Sequence, residues 1–421
     1  MLKKTNAWLW IPSLYFASGL PYHAITSISD IMYKDMGVDN TSIAFYTSIL
    51  LVPWTIKPLW SPFVEMLGTR RNWTLYSQLL LVACFAAIAL AVPSSNFVLF
   101  TLIAFMAGAF VSSTHDIALD GFYILALPQE KQSFFSGIRN TFYRIATVFS
   151  SGVLVMLAGS LSKHINNGSY AWSITFAVTA LIMAAMFLYH RKAMPKPEND
   201  LSHTPKSIGD IFSNFGDIIK TYFQKPGIWA TLLFLLLFRF PEAQLGKIGK
   251  LFLMDTIAAG GLELSKSDIG FLNGVVGVIG LIIGGILGGI CISRKGLKYW
   301  LWPMVVAISL PDIVYVYMSM FAPGSLTIIG SCIFIEQLGY GFGFTAYTLY
   351  MIYFAQGKYP TAHFAISTAF MSLGMMLPGM VSGYIQQWLG YENFFIWVMA
   401  CTAITFAVSG LIKIDPNFGK K

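Results

Sequence analysis

Charge is what this chain has least of: across 421 residues only 11% are Asp, Glu, Lys or Arg, while 56% are hydrophobic and 15% aromatic. Ordinary soluble domains carry about 25% charged residues, so a chain this poor in charge has no means of covering itself toward water. Cysteine is scarce as well. Cys84, Cys291, Cys332 and Cys401 stand singly in apolar segments without CxxC spacing, which excludes a disulfide framework and a cysteine-based metal site. HExxH, GxSxG and paired histidines are all missing, so the chain offers no nucleophile with its base and no metal cluster, and it does not read as an enzyme. No cofactor is expected: the glycines of Gly339-Tyr340-Gly341-Phe342-Gly343 follow no strand and precede no charged partner, as a nucleotide-binding turn would require. The chain also lacks a soluble sensor domain, which counts against a receptor.

Long apolar runs are what is present. Twelve spans fall near residues 7–33, 41–66, 72–93, 97–127, 134–160, 170–190, 226–254, 268–290, 298–320, 325–355, 361–387 and 391–413. Each supplies the ~20 residues that a bilayer-crossing helix needs. The expected fold is an all-α membrane protein of twelve transmembrane helices in two pseudo-symmetric six-helix bundles, residues 1–190 and 226–421. Met1-Leu2-Lys3-Lys4 opens like a signal peptide, but no small-residue cleavage site follows, and the segment reads as the start of span 1. Between the bundles, residues 191–225 form a basic linker. Within it Ile208, Ile211, Phe212, Phe215, Ile218, Ile219 and Tyr222 share one helical face, with Ser207 and Asp210 at capping-box spacing, which predicts an amphipathic helix on the lipid surface.

The net charge of +8 invites a nucleic-acid partner until its distribution is read. Eighteen of the 27 Lys and Arg lie at the termini, in the linker and in every second loop, and three (Lys34, Lys163, Lys266) lie on the other side. The positive-inside rule then places both termini and the linker in the cytoplasm, and nucleic acid is not expected as a partner. Six cations remain, within or near the spans: Lys57, Arg139, Arg144, Arg239, Lys247 and Lys250.

Those cations have acidic counterparts. Ser113-Thr114-His115-Asp116-Ile117-Ala118-Leu119-Asp120-Gly121-Phe122-Tyr123 interrupts an otherwise lipid-soluble span 4, and Asp116, Asp120 and Tyr123 share a helix face at i, i+4 and i+7. A charge at bilayer depth costs at least a few kcal/mol, so such residues line a wet path or find a partner. With a 1.5 Å rise, Asp120 and Asp116 lie ~10 and ~16 Å from the cytoplasmic end of span 4, level with Arg139 and Arg144 of span 5. Exchangeable pairs, Asp120 with Arg139 and Asp116 with Arg144, are expected, the acids taking protons when a partner leaves. In the second half, Arg239 and Glu242 flank Pro241 in span 7 and Glu336 lies in span 10. The two glutamates are further proton-coupling candidates, and the proline marks a bend. His23 of span 1, and Tyr123, Tyr347 and Tyr350, are candidate substrate contacts beside Arg139, Arg144 and Arg239: aromatic faces suit sugar rings and arginines suit a carboxylate. A structural inter-helix ion pair is the alternative for the charged residues, packing for His23, and packing or an interfacial aromatic belt for the tyrosines. Span 8 carries Gly280, Gly284 and Gly288 at four-residue steps, a ridge that admits a neighbouring helix closely.

These residues carry a resemblance. Ser61-Pro62-Phe63-Val64-Glu65, Gly68 and Arg70-Arg71 resemble the cytoplasmic gating loop between helices 2 and 3 of the major facilitator superfamily, with Glu65 where an aspartate is usual. Phe16-Ala17-Ser18-Gly19-Leu20-Pro21, Leu59-Trp60-Ser61-Pro62 and Asp116-Ile117-Ala118-Leu119-Asp120 are similar to the AmpG-type muropeptide permeases and their acetyl-coenzyme A and siderophore-transporting relatives. The resemblance implies a monomeric secondary transporter working by alternating access on a proton gradient, with Glu65, Gly68, Arg70 and Arg71 in the gate. A muropeptide or amino-sugar-like anion is the expected cargo, a siderophore or other small solute the alternative, and a channel or membrane enzyme the remote one.

Overall fold

A computed structural model describes residues 6–66, 68–127, 129–197, 200, 208–357 and 359–419. Everything regular among them is helical, and nine helices are long and apolar enough to cross a membrane. The chain folds as two compact units. One comprises Met1–Met36 with Ile56–Ile211, the other Gly37–Thr55 with Phe212–Lys421.

In the first unit, spans 3, 4 and 6 are the uninterrupted helices Arg70–Ala91, Phe97–Ala126 and Gly168–Ala193. Their starts follow from sequence: Thr69 accepts from the amide of Asn72, and Asn167 from that of Tyr170, each satisfying a donor that the first helical turn leaves open. Spans 1 and 5 are different. Each contains a π turn, Ala24–Ile28 and Phe149–Leu154, just past a polar residue of interest, and the two turns pack together. Upstream, Gly19 makes that contact possible: a Cβ there would lie 2.8 Å from Cβ of Ala146. A buried polar chain then ties four spans together. His190 Nε2 lies 3.0 Å from Ser13 Oγ, its Nδ1 3.0 Å from Gln78 Oε1, and Gln78 Nε2 3.1 Å from His115 Nε2. A carboxamide in the middle fixes the direction: Gln78 donates through Nε2 to His115 and accepts through Oε1 from His190.

In the second unit, span 7 breaks into Ile228–Leu237 and Phe240–Met254, with Pro241 in the first turn of the second piece, as its missing N–H favours. Span 9 tightens at Leu310–Asp312 before continuing as Ile313–Phe321. The glycine ridge of span 8 meets span 10 as its spacing predicts. Cβ atoms built at Gly280 and Gly284 would strike the carbonyl oxygens of Phe334 and Leu338 at 2.7 and 2.1 Å. Span 10 answers with its own glycines, Gly341 against Leu281 of span 8 and Gly339 against Ala307 of span 9. Spans 11 and 12 part at Gly390, whose φ of 73° turns the chain.

Residues 37–55, which include the first part of span 2, pack with this second unit. Gly383 of span 11 lies under Asn40 and Thr41, and Lys247 Nζ donates to Thr47 Oγ1 at 2.8 Å. Asn40 Nδ2 reaches Gln386 Oε1 at 3.0 Å, Tyr391 OH at 2.8 Å and Asp255 Oδ2 at 3.3 Å, while Tyr391 OH donates to Asp255 at 2.6 Å. The linker helix is present as Ile208–Phe223; Tyr222 is buried, its hydroxyl 3.0 Å from Ser367 Oγ. Ser207, and with it the expected capping box, lies outside the described residues.

Candidate functional site

The first unit gathers its ionisable residues where spans 1, 4 and 5 meet. Asp120 and Arg139, matched in depth by the helical rise, are brought together with Nη1 3.5 Å from Oδ1. Their companions come from span 1. Tyr15 OH donates to Asp120 Oδ1 at 3.1 Å and accepts from Arg139 Nη1 at 3.2 Å. The guanidinium also sits over the rings of Tyr15 and Tyr123, 5.0 and 5.2 Å from their centres, so Tyr123 is placed in the site as a cation-binding face. Side-chain exposures of 32% for Arg139 and 54% for Asp120 set the strength of the pair. At that exposure an ion pair contributes under about 1 kcal/mol, which makes it readily exchanged rather than a permanent tie.

Asp116, one turn deeper, takes a hydrogen bond from Ser18 Oγ at 2.6 Å. Ser18, on span 1, is thus one companion of Asp116. Arg144 lies half-buried on span 5. Next to it, Tyr143 forms a ring cluster with Tyr22 and His23, and His23 Nε2 lies 2.7 Å from Thr147 Oγ1. His23 therefore joins the same span 1 to span 5 seam as the acids, just before the π turn.

The residues expected to form a gate also fall in this unit. Gly68 adopts φ 79°, closing the turn into span 3. The amides of Arg70 and Arg71 donate to the two oxygens of Asp200 at 2.9 and 3.0 Å, and Arg71 reaches the carbonyl of Arg191 at 2.7 Å. The basic pair thus clasps the start of the linker. Arg70 crosses to span 4, where a Cβ on Gly121 would lie 2.8 Å from its Nε. The side chain of Glu65 lies outside the described ones.

In the second unit, Arg239 follows the break in span 7, hydrogen-bonds through Nη2 to the hydroxyl of Tyr340, and lies over the Tyr340 and Phe344 rings at 5.2 and 4.9 Å. Glu242, Asp312 and Glu336 are buried together, each offering a carboxylate oxygen within 4.8 Å of the others. Tyr347 and Tyr350 are placed differently from a substrate contact. Both are buried core residues, their hydroxyls bonded to the Leu235 carbonyl at 2.6 Å and Thr231 Oγ1 at 2.7 Å. Tyr340, Asp312, Tyr15, Ser18 and Asp200 are the participants that the sequence did not single out for these roles. Tyr15 and Ser18 had a signal: at i and i+3 they present two hydroxyls on one face of span 1, level with the acids.

Two helical units, spans broken at proline and glycine, and ionisable groups gathered inside them define a membrane transporter. The sequence pattern of the Major Facilitator Superfamily matches residues 13–377, and the chain belongs to that family. Among individual proteins it is similar to the anhydromuropeptide permease of Escherichia coli K12, with 24% identity over 95% of this chain and 77% of that one. It is likewise similar to a transporter of Rickettsia conorii named AmpG 4, with 25% identity over 92% of this chain and 91% of the other. Among solved structures, a D-xylose-proton symporter superposes with a TM-score of 0.71 over 97% of this chain and 98% of its own at 12% identity, which speaks for the fold alone.

Proposed function

We propose that this protein is a proton-coupled importer of a muropeptide or a related anionic amino-sugar solute across the bacterial inner membrane, working as a monomer by alternating access. The observation that carries the coupling is the Asp120–Arg139–Tyr15 triad, with Asp116 on Ser18 beside it. An arginine bonded weakly to an acid, and stacked on two tyrosine rings, is a ready receptor for a substrate carboxylate. When the substrate takes Arg139, Asp120 loses its counter-charge and gains a proton; when the proton leaves, the pair re-forms and releases the cargo. Two ligands that bias one exchange are thereby coupled.

The relatives support the substrate class, since one is named as an anhydromuropeptide permease. The aromatic seam of Tyr22, His23 and Tyr143 supplies ring faces of the kind that sugars stack on. The basic loops and linker 191–225 face the cytoplasm in this reading. Counterflow in proteoliposomes tests it. Vesicles preloaded with unlabelled anhydromuropeptide are expected to accumulate the labelled compound transiently. Equal counterflow of a ferric siderophore, with none of the muropeptide, would replace the substrate class, and no counterflow of any solute would remove the carrier reading.

A further inference from the structure

The second unit holds a group of residues that the span 4 and span 5 chemistry does not use. Glu242 of span 7, Asp312 of span 9 and Glu336 of span 10 are 7%, 2% and 3% exposed, and their oxygens converge within 4.8 Å. Their surroundings under-serve them. Gln337 Nε2 donates to both oxygens of Glu336, at 2.9 and 3.1 Å, and Arg239 stands three residues before Glu242 at the break in span 7. Yet neither oxygen of Asp312, nor Oε2 of Glu242, has a hydrogen-bond donor among the described residues. Buried carboxylate oxygens without donors cost several kcal/mol each, and one arginine cannot balance three such acids. Two of the three ligands also come from interruptions in their helices, the break before Pro241 and the tight turn Leu310–Asp312. Discontinuous helices are where carriers build their ion sites.

We propose that Glu242, Asp312 and Glu336 bind a hard metal cation, Na⁺ or Ca²⁺. The donor set is all oxygen, which suits hard ions and gives softer ones such as zinc or copper no nitrogen or sulfur ligand. Oxygens within 4.8 Å of one another can surround an ion at the roughly 2.3–2.6 Å contacts that such cations make. The cation supplies the missing partner of Asp312 and the charge that Arg239 leaves unbalanced. The site lies in a different unit from Asp120 and Arg139 and involves no substrate group, so it stands or falls separately from the coupling and cargo assigned above.

The experiment uses the purified full chain in detergent at pH 8, stripped with chelator, and measures retention of ²²Na⁺ or ⁴⁵Ca²⁺ together with thermal unfolding in NaCl, CaCl₂ or choline chloride at matched ionic strength. One of the two isotopes should be retained at one ion per chain, with a saturable rise in Tm in the same salt. Asp312→Asn should lose both effects and, with less repulsion among the acids, unfold at a higher temperature than wild type in choline chloride. Where Asp312→Asn does not fold, Glu336→Gln serves the same comparison. Retention of neither isotope by the wild type would overturn the proposal, as would a salt effect that persists in the variant. Stabilisation by acidification alone, with no metal effect, would identify protons as the occupant and equally overturn it.

Discussion

At the residue scale, hydroxyls decide how the acids of span 4 behave. Tyr15 bridges the pair, because it both donates to Asp120 and accepts from Arg139. Tyr15→Phe keeps the ring under the guanidinium and removes only those two bonds. Both bonds are to charged groups, each contributing about 1.5–3 kcal/mol, so the expected result is a loss of proton-driven uptake of roughly tenfold or more, with a Tm lower by a few degrees. Uptake in proteoliposomes and a melting curve check it. The His115–Gln78–His190 chain behaves in the opposite way. Gln78→Leu strands two fully buried imidazoles, a cost of about 1–3 kcal/mol for each partner left unsatisfied. Thermal unfolding should fall by several degrees, while any remaining folded protein binds substrate as before. These residues show where sequence reading stops. Depth along a helix could match Asp120 with Arg139, because rise per residue is fixed, but it could not say which hydroxyls on span 1 would intervene. Rotation about a helix axis is set by packing, and for span 1 that packing turns on Gly19.

At the element scale, the glycines of spans 8 and 10 separate packing from mere composition. Gly284→Ala would drive a methyl to 2.1 Å from the Leu338 carbonyl and Gly341→Ala one to 2.2 Å from that of Leu281, whereas Gly289 has nothing within 4 Å. Overpacking of this kind costs about 1–3 kcal/mol. The first two variants should lose several degrees in Tm and Gly289→Ala should lose none, as measured by unfolding in detergent. The ridge itself was legible, since three glycines at four-residue steps fall on one face. The broken span 7 was legible for a similar reason, Pro241 being unable to continue a helix. Less legible was the clasp of Asp200 on the amides of Arg70 and Arg71, because a single aspartate far along a linker carries no periodic signal. Loss of a helix cap costs about 1 kcal/mol, so Asp200→Ala should leave the fold intact and speed protease cleavage within residues 191–207, checked by limited proteolysis.

At the scale of the whole molecule, apolar length and basic loops made the twelve-span transporter readable, because a bilayer imposes its thickness on any chain that crosses it. Assignment of residues 37–55 to the second unit was not readable. It depends on Gly383 and Gly379 letting span 11 lie against the first part of span 2, and on Asn40 meeting Asp255, Gln386 and Tyr391. The proposed transport cycle turns on one exchange, in which Arg139 leaves Asp120 for the cargo and Asp120 takes a proton. Asp120→Asn is the neutral mimic of the protonated acid. The deciding measurement is muropeptide uptake by proteoliposomes bearing this variant, with and without an imposed pH gradient. The exchange predicts that counterflow at equal pH survives while accumulation driven by the gradient is lost. Gradient-driven accumulation at the wild-type level in Asp120→Asn would contradict it.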